Sequence, residues 1–198
     1  MGTHTIKSLR YFSVGLATLL ALSSCGYNSL QGLDEQVKGA WAEVQNQYQR
    51  RADLIPNLVA TVKGASQFEQ ETLQKVIEAR AQATSIKLDA QVLNDPATFK
   101  KFEDVQRNLS GALSRLLVVA ERYPDLKATA NFRDLQVQLE GTENRISVER
   151  MRFNEAAQAY NTKRLSFPAN LIANAFGFGE KAYFKSQAGA ATAPQVKF

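Results

Sequence analysis

From residue 26 onward, apolar side chains recur at steps of three and four, the period of a helix that packs on one face. The first stretch places Leu30, Leu33, Val37, Trp41, Val44 and Tyr48 in this register and continues through Ile55, Leu58 and Val62. Pro56 interrupts it. Proline lacks an amide and clashes with the preceding turn, so a kink or local break is expected near Asp53 to Ile55. A second helix is expected from Ser66 as N-cap, with Glu69 in the capping-box position and a stripe of Phe68, Leu73, Val76, Ile77 and Ala83. Asn94-Asp95-Pro96 breaks the pattern, and Pro96 suits a first helical position. The third helix carries Phe99, Phe102, Val105, Leu109, Leu113, Leu116, Val119 and Ala120, and ends at Tyr123-Pro124, where proline disfavours helix in the residue before it. The fourth begins near Asn131, shows Phe132, Leu135, Leu139, Ile146, Phe153, Ala157 and Tyr160, and stops around Ser166-Phe167-Pro168. Alternating β-branched runs, the signature of strands, are absent.

Four amphipathic helices joined by short links predict an all-α fold: an elongated antiparallel up-down-up-down four-helix bundle with long first and fourth helices. At 1.5 Å per residue, each of those two would be about 50 Å long. The expected division is a signal over 1–24, a lipidated N-terminus and tether over 25–29, a bundle with an aromatic C-terminal cap over 30–184, and a flexible Ala/Gly-rich tail over 185–198.

The N-terminal segment follows a different pattern. Lys7 and Arg10 precede a charge-free run from Tyr11 to Leu22, the length of a signal h-region and short of the roughly 20 residues of a spanning helix. It closes with Leu22-Ser23-Ser24-Cys25, which looks like a bacterial lipobox. In that reading Cys25 becomes the first residue, its sulfur carries diacylglycerol and its amino group is acylated, for example with palmitate. Several chains on one residue give a stable anchor. An uncleaved signal anchor, or ordinary cleavage that leaves Cys25 a free thiol, are the alternatives. By resemblance to Gram-negative lipoproteins, Gly26 after the cysteine points to the outer membrane facing the periplasm.

Composition narrows the chemistry. The 198 residues include one histidine, His4, and one cysteine, Cys25, which excludes a disulfide framework and a His/Cys zinc site. If His4 lies outside the folded body, no Ser-His-Asp or Cys-His arrangement is possible there either. Sequence signatures of metalloproteases, α/β-hydrolases, phosphate loops and EF-hands are absent, and no metal site is expected. No cofactor is expected beyond covalent lipid on Cys25. The net charge of +5 is spread without the basic patch that nucleic acid requires, and it falls to +3 once Lys7 and Arg10 leave with residues 1–24, which hold no acid.

Two groups of residues stand out. If helices one and four run antiparallel with midpoints aligned, Arg51 falls opposite Glu143, and Asp53 lies near Gly141 and Arg145. Together with Glu149, which sits in the stripe from Ile146 to Phe153, these residues form either a buried charge network or an exposed flank. The second group, Phe167, Phe176, Phe178, Tyr183 and Phe184, follows helix four. An antiparallel bundle returns these aromatics to the end where helix one starts, close to Cys25. They form either a hydrophobic cap or a docking patch for a bilayer or a partner. The terminal Pro194-Gln195-Val196-Lys197-Phe198 alternates and could pair with an edge strand, though a frayed terminus serves equally.

The chain resembles the LemA family. The resemblance rests on Tyr27-Asn28-Ser29-Leu30, Trp41, Arg50-Arg51-Ala52-Asp53-Leu54-Ile55-Pro56-Asn57-Leu58-Val59, Val62-Lys63-Gly64 and Ala120-Glu121-Arg122-Tyr123-Pro124-Asp125-Leu126-Lys127-Ala128. It continues through Asn131-Phe132, Leu139-Glu140-Gly141-Thr142-Glu143-Asn144-Arg145-Ile146, Arg150, Tyr160-Asn161, Phe167-Pro168, Phe176-Gly177-Phe178 and the ending Pro194-x-Val196-x-Phe198. It implies an elongated helical bundle held at the cell envelope by its N-terminus, in a family without an established enzymatic activity. Many members carry a single transmembrane segment where this chain has a lipobox. Ser66-Gln67-Phe68-Glu69 stands where relatives tend to show a His-Glu pair. Relatives often accompany envelope proteins such as metalloproteases or TPM-domain proteins, which implies a scaffold or adaptor. The expected function is therefore a membrane-anchored, non-enzymatic bundle with envelope protein partners and no nucleic acid. A structural protein acting through bilayer contact and self-association is the alternative, and a carboxylate-only envelope hydrolase a weaker one.

Overall fold

The computed structural model describes residues 3–65, 68–86 and 90–185, with side chains described from Gly26 onward except at 90 and 91. Six α-helices follow in order: α1 (Thr3–Lys63), α2 (Gln70–Ser85), α3 (Pro96–Ala120), α4 (Pro124–Ala128), α5 (Ala130–Leu165) and α6 (Ala169–Phe176). A 3₁₀ turn over Ala90–Asn94 precedes α3, and the described residues contain no strand. The side chains of the run Tyr11–Leu22 and of Cys25, and the tail beyond Lys185, lie outside the described residues.

Local chemistry accounts for most boundaries. Asp95 caps α3, its carboxylate accepting from the Ala97 amide at 3.0 Å, with Pro96 in the first turn. Thr129 caps α5 by accepting from the Phe132 amide at 3.4 Å. The second helix differs from expectation. It starts at Gln70, its N-cap is Glu69 without a side-chain cap bond, and Ser66 lies outside the described residues. The Glu69 carboxylate is drawn instead to Arg122 at 2.5 Å and accepts from the Thr72 hydroxyl at 3.1 Å.

Of the kink or local break expected near Asp53 to Ile55, the break does not occur: α1 continues through Pro56 to Lys63. Proline leaves the carbonyl four residues earlier without its intrahelical donor, and that carbonyl belongs to Ala52. Arg80 of α2 supplies the replacement, its Nε donating to the Ala52 oxygen at 2.9 Å. Burial of Ile55, Leu58 and Val59 on either side of the proline holds the helical turn in place.

Contacts fix the relative directions of the helices. Trp41 lies 5.6 Å from Phe153 and Arg51 2.8 Å from Glu143, so residue numbers rise along α1 as they fall along α5. The α2–α3 pair is likewise antiparallel, with Glu69 beside Arg122 and the Ala83 carbonyl beside Gln106. With 61 residues, α1 is about 90 Å long. It is far longer than expected because it continues back through the N-terminal segment. The core divides into three parts along this axis. Leu30, Ala169 and Ala173 pack at the end nearest Cys25. Aromatics led by Trp41, Phe99, Phe102 and Phe153 fill the middle. Aliphatics around Leu58, Val76, Leu116 and Leu139 fill the far end.

Candidate functional site

Between the middle and far cores sits a polar layer centred on Arg51, whose side chain is 1% exposed. Its Nη1 donates to Ser110 Oγ at 2.7 Å and Glu143 Oε2 at 2.8 Å. Its Nη2 donates to Gln106 Oε1 at 2.6 Å, while Nε has no partner. The Ser110 hydroxyl in turn donates a hydrogen bond to Glu143 Oε1 at 3.0 Å, closing a triangle. Gln106 Nε2 reaches the Ala83 carbonyl of α2 at 3.5 Å, and the guanidinium lies 5.1 Å from the Tyr48 ring. Glu143, 48% exposed, opens the layer to water on one side. Burial raises the Tyr48 phenol above its ordinary value, despite the nearby Arg150 and Arg51 charges.

Of the charged residues singled out in the sequence, the structure brings together Arg51 and Glu143 only. Asp53 is exposed and accepts from Gln49 on its own helix at 2.7 Å, Arg145 is exposed, and Glu149 pairs with Arg152 at 2.8 Å. The reason is helical geometry: two residues further along turns a side chain by about 200°, which carries Asp53 and Arg145 away from the seam. Gln106 and Ser110, which complete the layer, belong to α3 and were missed. Their signal is two polar residues on the third stripe at the steps between Phe102, Leu109 and Leu113.

Paired carboxylates, which the hydrolase alternative needs, occur at the Arg51 layer and in a separate surface cleft of about 630 Å³ lined by Glu103, Asp104 and Glu180. Glu103 and Glu143 line one cavity of about 30 Å³, room for a water or two rather than a sugar. Arg150 and the Lys185 amide engage Glu103, and Arg51 engages Glu143. Among the described residues, no group of three or more His, Cys, Asp or Glu side chains could hold a metal.

A second polar seam runs along α5. Arg164 Nε donates to the Phe178 carbonyl at 2.8 Å, and the Tyr160 hydroxyl to that of Gly179 at 2.9 Å. Asn161 brackets Lys181, accepting from its amide at 3.0 Å and donating to its carbonyl at 2.9 Å. Asn154 brackets Phe184 in the same way, both bonds at 2.9 Å. Arg150 reaches the Lys185 carbonyl at 3.1 Å. Five side chains of one helix face thus take the place of a neighbouring strand for the extended segment 178–185. The buried Lys181 ammonium fastens this segment to α1 through Asp34 at 2.7 Å, with Asn94 Oδ1 at 2.8 Å and the Tyr160 ring 5.1 Å away. Burial alone would raise the Asp34 carboxyl, but hydrogen bonds from Lys181 and Lys38 outweigh it and hold the group below its ordinary value. Burial and the Asp34 charge push the Tyr160 phenol up to about 12.

The five aromatics of the expected patch part company. Phe184 is core, packed among Trp41, Phe99 and Phe153. It belongs to no exposed patch, because the Asn154 bracket turns the ring inward. Tyr183 accepts from Asn161 at 2.9 Å on the flank. Phe167 and Phe176 are 80% and 67% exposed, and Phe178 is half-buried against the near core. Gly177, at φ 72°, ends α6 in the left-handed region. The Phe178 amide then returns to the Ala173 carbonyl at 3.0 Å, a Schellman closure that folds Phe178 back onto Ile172 and Tyr27. The opposite end of the molecule holds a cleft of about 590 Å³ between the end of α1 and the α3–α4 turn. Thr61, Gly64, Arg122, Tyr123, Asp125 and Asn131 line it. Among the described residues, no helix is long and apolar enough to cross a membrane.

The model of the LemA family matches residues 40–198, from within the middle core onward. The chain belongs to the LemA family. It is similar to Protein LemA of Metamycoplasma hominis, 25% identical over 159 residues that cover 80% of this chain and 68% of that one. It is also similar to Magnetosome protein MamQ 2 of Paramagnetospirillum magneticum, 22% identical over 204 residues, covering 94% of this chain and 75% of the relative. Magnetosome protein MamQ of Magnetospirillum gryphiswaldense is 21% identical over 201 residues, with 93% and 74% covered. In this LemA-family chain the match takes in the polar layer, the α5 seam and the far-end cleft alike.

Proposed function

We propose that the protein is a membrane-anchored, non-enzymatic scaffold of the bacterial cell envelope, built on four long helices that alternate in direction. Lipid on Cys25 holds one end, and the cleft at the other receives a partner protein. Family membership and relatives named as magnetosome proteins support a membrane-associated envelope protein. The observation that carries the adaptor role is the far-end cleft, because it is the roomy concave surface furthest from the anchor and mixes an aromatic ring, both charges, hydroxyls and an amide. The interior offers no comparable site, since the Arg51 layer is filled by its own side chains. The test is affinity purification from native membranes of the wild type and of Thr61→Arg with Asn131→Lys. A stoichiometric envelope protein that is recovered with the wild type and lost with the double variant is the expected result. Recovery of the same protein with both would remove the cleft from the account. Recovery of the chain alone would favour the alternative, a structural protein acting through self-association.

A further inference from the structure

The end of the molecule nearest Cys25 carries no charge. Residues 26–33 of α1 and residues 165–179, which run from the last residue of α5 through α6 to the turn beyond it, hold no Asp, Glu, Lys or Arg. Charged residues make up 22% of the whole chain, so a charge-free band of two segments that pack on each other calls for a cause. Packing supplies part of it. Ala169 and Ala173, one helical turn apart, bring α6 close to Leu30 of α1. At Gly26 the approach is so close that an added Cβ would lie 2.5 Å from the Ile172 Cδ1 atom.

Packing does not explain the outer face. Leu165, Phe167, Leu171 and Phe176 are all more than half exposed, and Tyr27 joins them by an edge contact with the Phe176 ring at 5.1 Å. Large apolar side chains left in water at one place mark a surface that something covers. The position of the patch identifies the cover. The charge-free run Tyr11–Leu22 belongs to the same helix and ends four residues before Gly26, about 6 Å along the axis. On the anchored reading proposed above, whether that run is retained or replaced by lipid on Cys25, the bilayer begins at this point. The uncharged band also holds Asn28, Ser29, Gln31, Asn170 and Asn174, whose polar but neutral groups suit the headgroup level, and its first cations are Lys163 and Arg164 at the last turn of α5.

We infer that α6 and its flanking residues are a second membrane contact, a short interfacial helix that lays Leu165, Phe167, Leu171 and Phe176 into the boundary of a lipid bilayer. The inference rests on the anchored reading above and adds to it an orientation. One attachment leaves a long rod free to tilt, whereas two attachments on different helices hold its axis against the membrane plane and carry the far-end cleft away from it.

The added tryptophans of Phe176→Trp and Leu171→Trp report on this in the full-length protein, because the native Trp41 is buried and silent to either quencher. The protein is reconstituted in phosphatidylcholine–phosphatidylglycerol vesicles whose acyl chains carry bromine. The added emission should be largely lost in these vesicles and should resist aqueous iodide. Val137→Trp, on the exposed face of α5 towards the far end, should show the reverse. Quenching of the α6 tryptophans by iodide in a protein that floats with the vesicles would overturn the contact and leave the anchor standing. Shielding from both quenchers would overturn it in favour of a protein occupant, such as a second copy. A protein that does not float would overturn both readings.

Discussion

Arg51 is a guanidinium almost wholly out of water, and its removal from solvent carries a desolvation cost that only close partners offset. Those partners come from two other helices, so the layer fixes the register of α1 against α3 and α5. Arg51→Ala should lower stability by about 3–5 kcal/mol, because it strands Gln106 and Ser110 as well as removing the pair. Glu143→Ala should cost less, about 1–3 kcal/mol, since Ser110 and Gln106 still receive the guanidinium. The double variant should fall short of the sum by at least about 1 kcal/mol in urea denaturation, as neighbours in one network do. Strict additivity would mean that the layer is not coupled. Asp34 provides a pH signature. Its folded-state pKa lies below the ordinary 3.8, so the stability it contributes is full above that value and drains as pH falls below it. Asp34→Asn should therefore be destabilised by about 3–5 kcal/mol at pH 7, the cost of leaving Lys181 unpaired, and the gap to wild type should narrow as pH falls below 3.8. A gap that does not change with pH would remove the Asp34–Lys181 pair from this role. On the alkaline side the sign reverses: Tyr160 is favoured neutral in the fold, so its contribution persists below pH 10 and is lost as pH approaches 12.

At the scale of elements, the intact passage of α1 through Pro56 depends on a side chain from another helix. Arg80→Ala should cost about 1–3 kcal/mol by leaving the Ala52 carbonyl unsatisfied. In a Pro56→Ala background an amide is restored at the right place, and most of that cost should vanish. Equal costs in both backgrounds, measured by thermal or urea unfolding, would show that Arg80 acts through something else. This case marks the limit of reading elements from the chain. Apolar periodicity located parts of α1, α2, α3 and α5, four of the six helices among the described residues, because that signal is local, and Asp95-Pro96 and the Ser166 stop stand close to the expected positions. The outcome at Pro56 was not legible, because the donor that rescues it lies 28 residues away in sequence. The segment 178–185 and α6 were illegible for a related reason. The segment is held through its backbone carbonyls and amides, which leave no pattern in its own side chains. The eight residues of α6 are too short to show a period and pack through alanines rather than large apolar groups. Even so, the residues that grip the segment, among them Arg150, Tyr160 and Asn161, sit in the stretches that carried the family resemblance.

For the whole molecule, the sequence located an antiparallel meeting of Arg51 with Glu143 and an aromatic end near Cys25. It could not apportion the aromatics between core and surface, because exposure is decided by where the Asn154 and Asn161 brackets aim each ring. The result is a rod with distinct ends: an uncharged apolar end beside the charge-free run Tyr11–Leu22 and a polar, concave end opposite. Anchorage itself is checked at Cys25. A Cys25→Ser variant should lose its lipid and accumulate as a larger, uncleaved precursor on a denaturing gel, and normal processing of that variant would contradict the lipobox reading. The central claim, one end to the membrane and the other to a partner, is tested most directly by a photo-crosslinking amino acid placed in turn at Phe176, Val148 and Asn131 in cells. The scaffold account predicts lipid adducts from the first position, few adducts from the second and one discrete envelope protein from the third. Contradiction would take the form of protein adducts from Phe176 together with none, or only self-adducts, from Asn131.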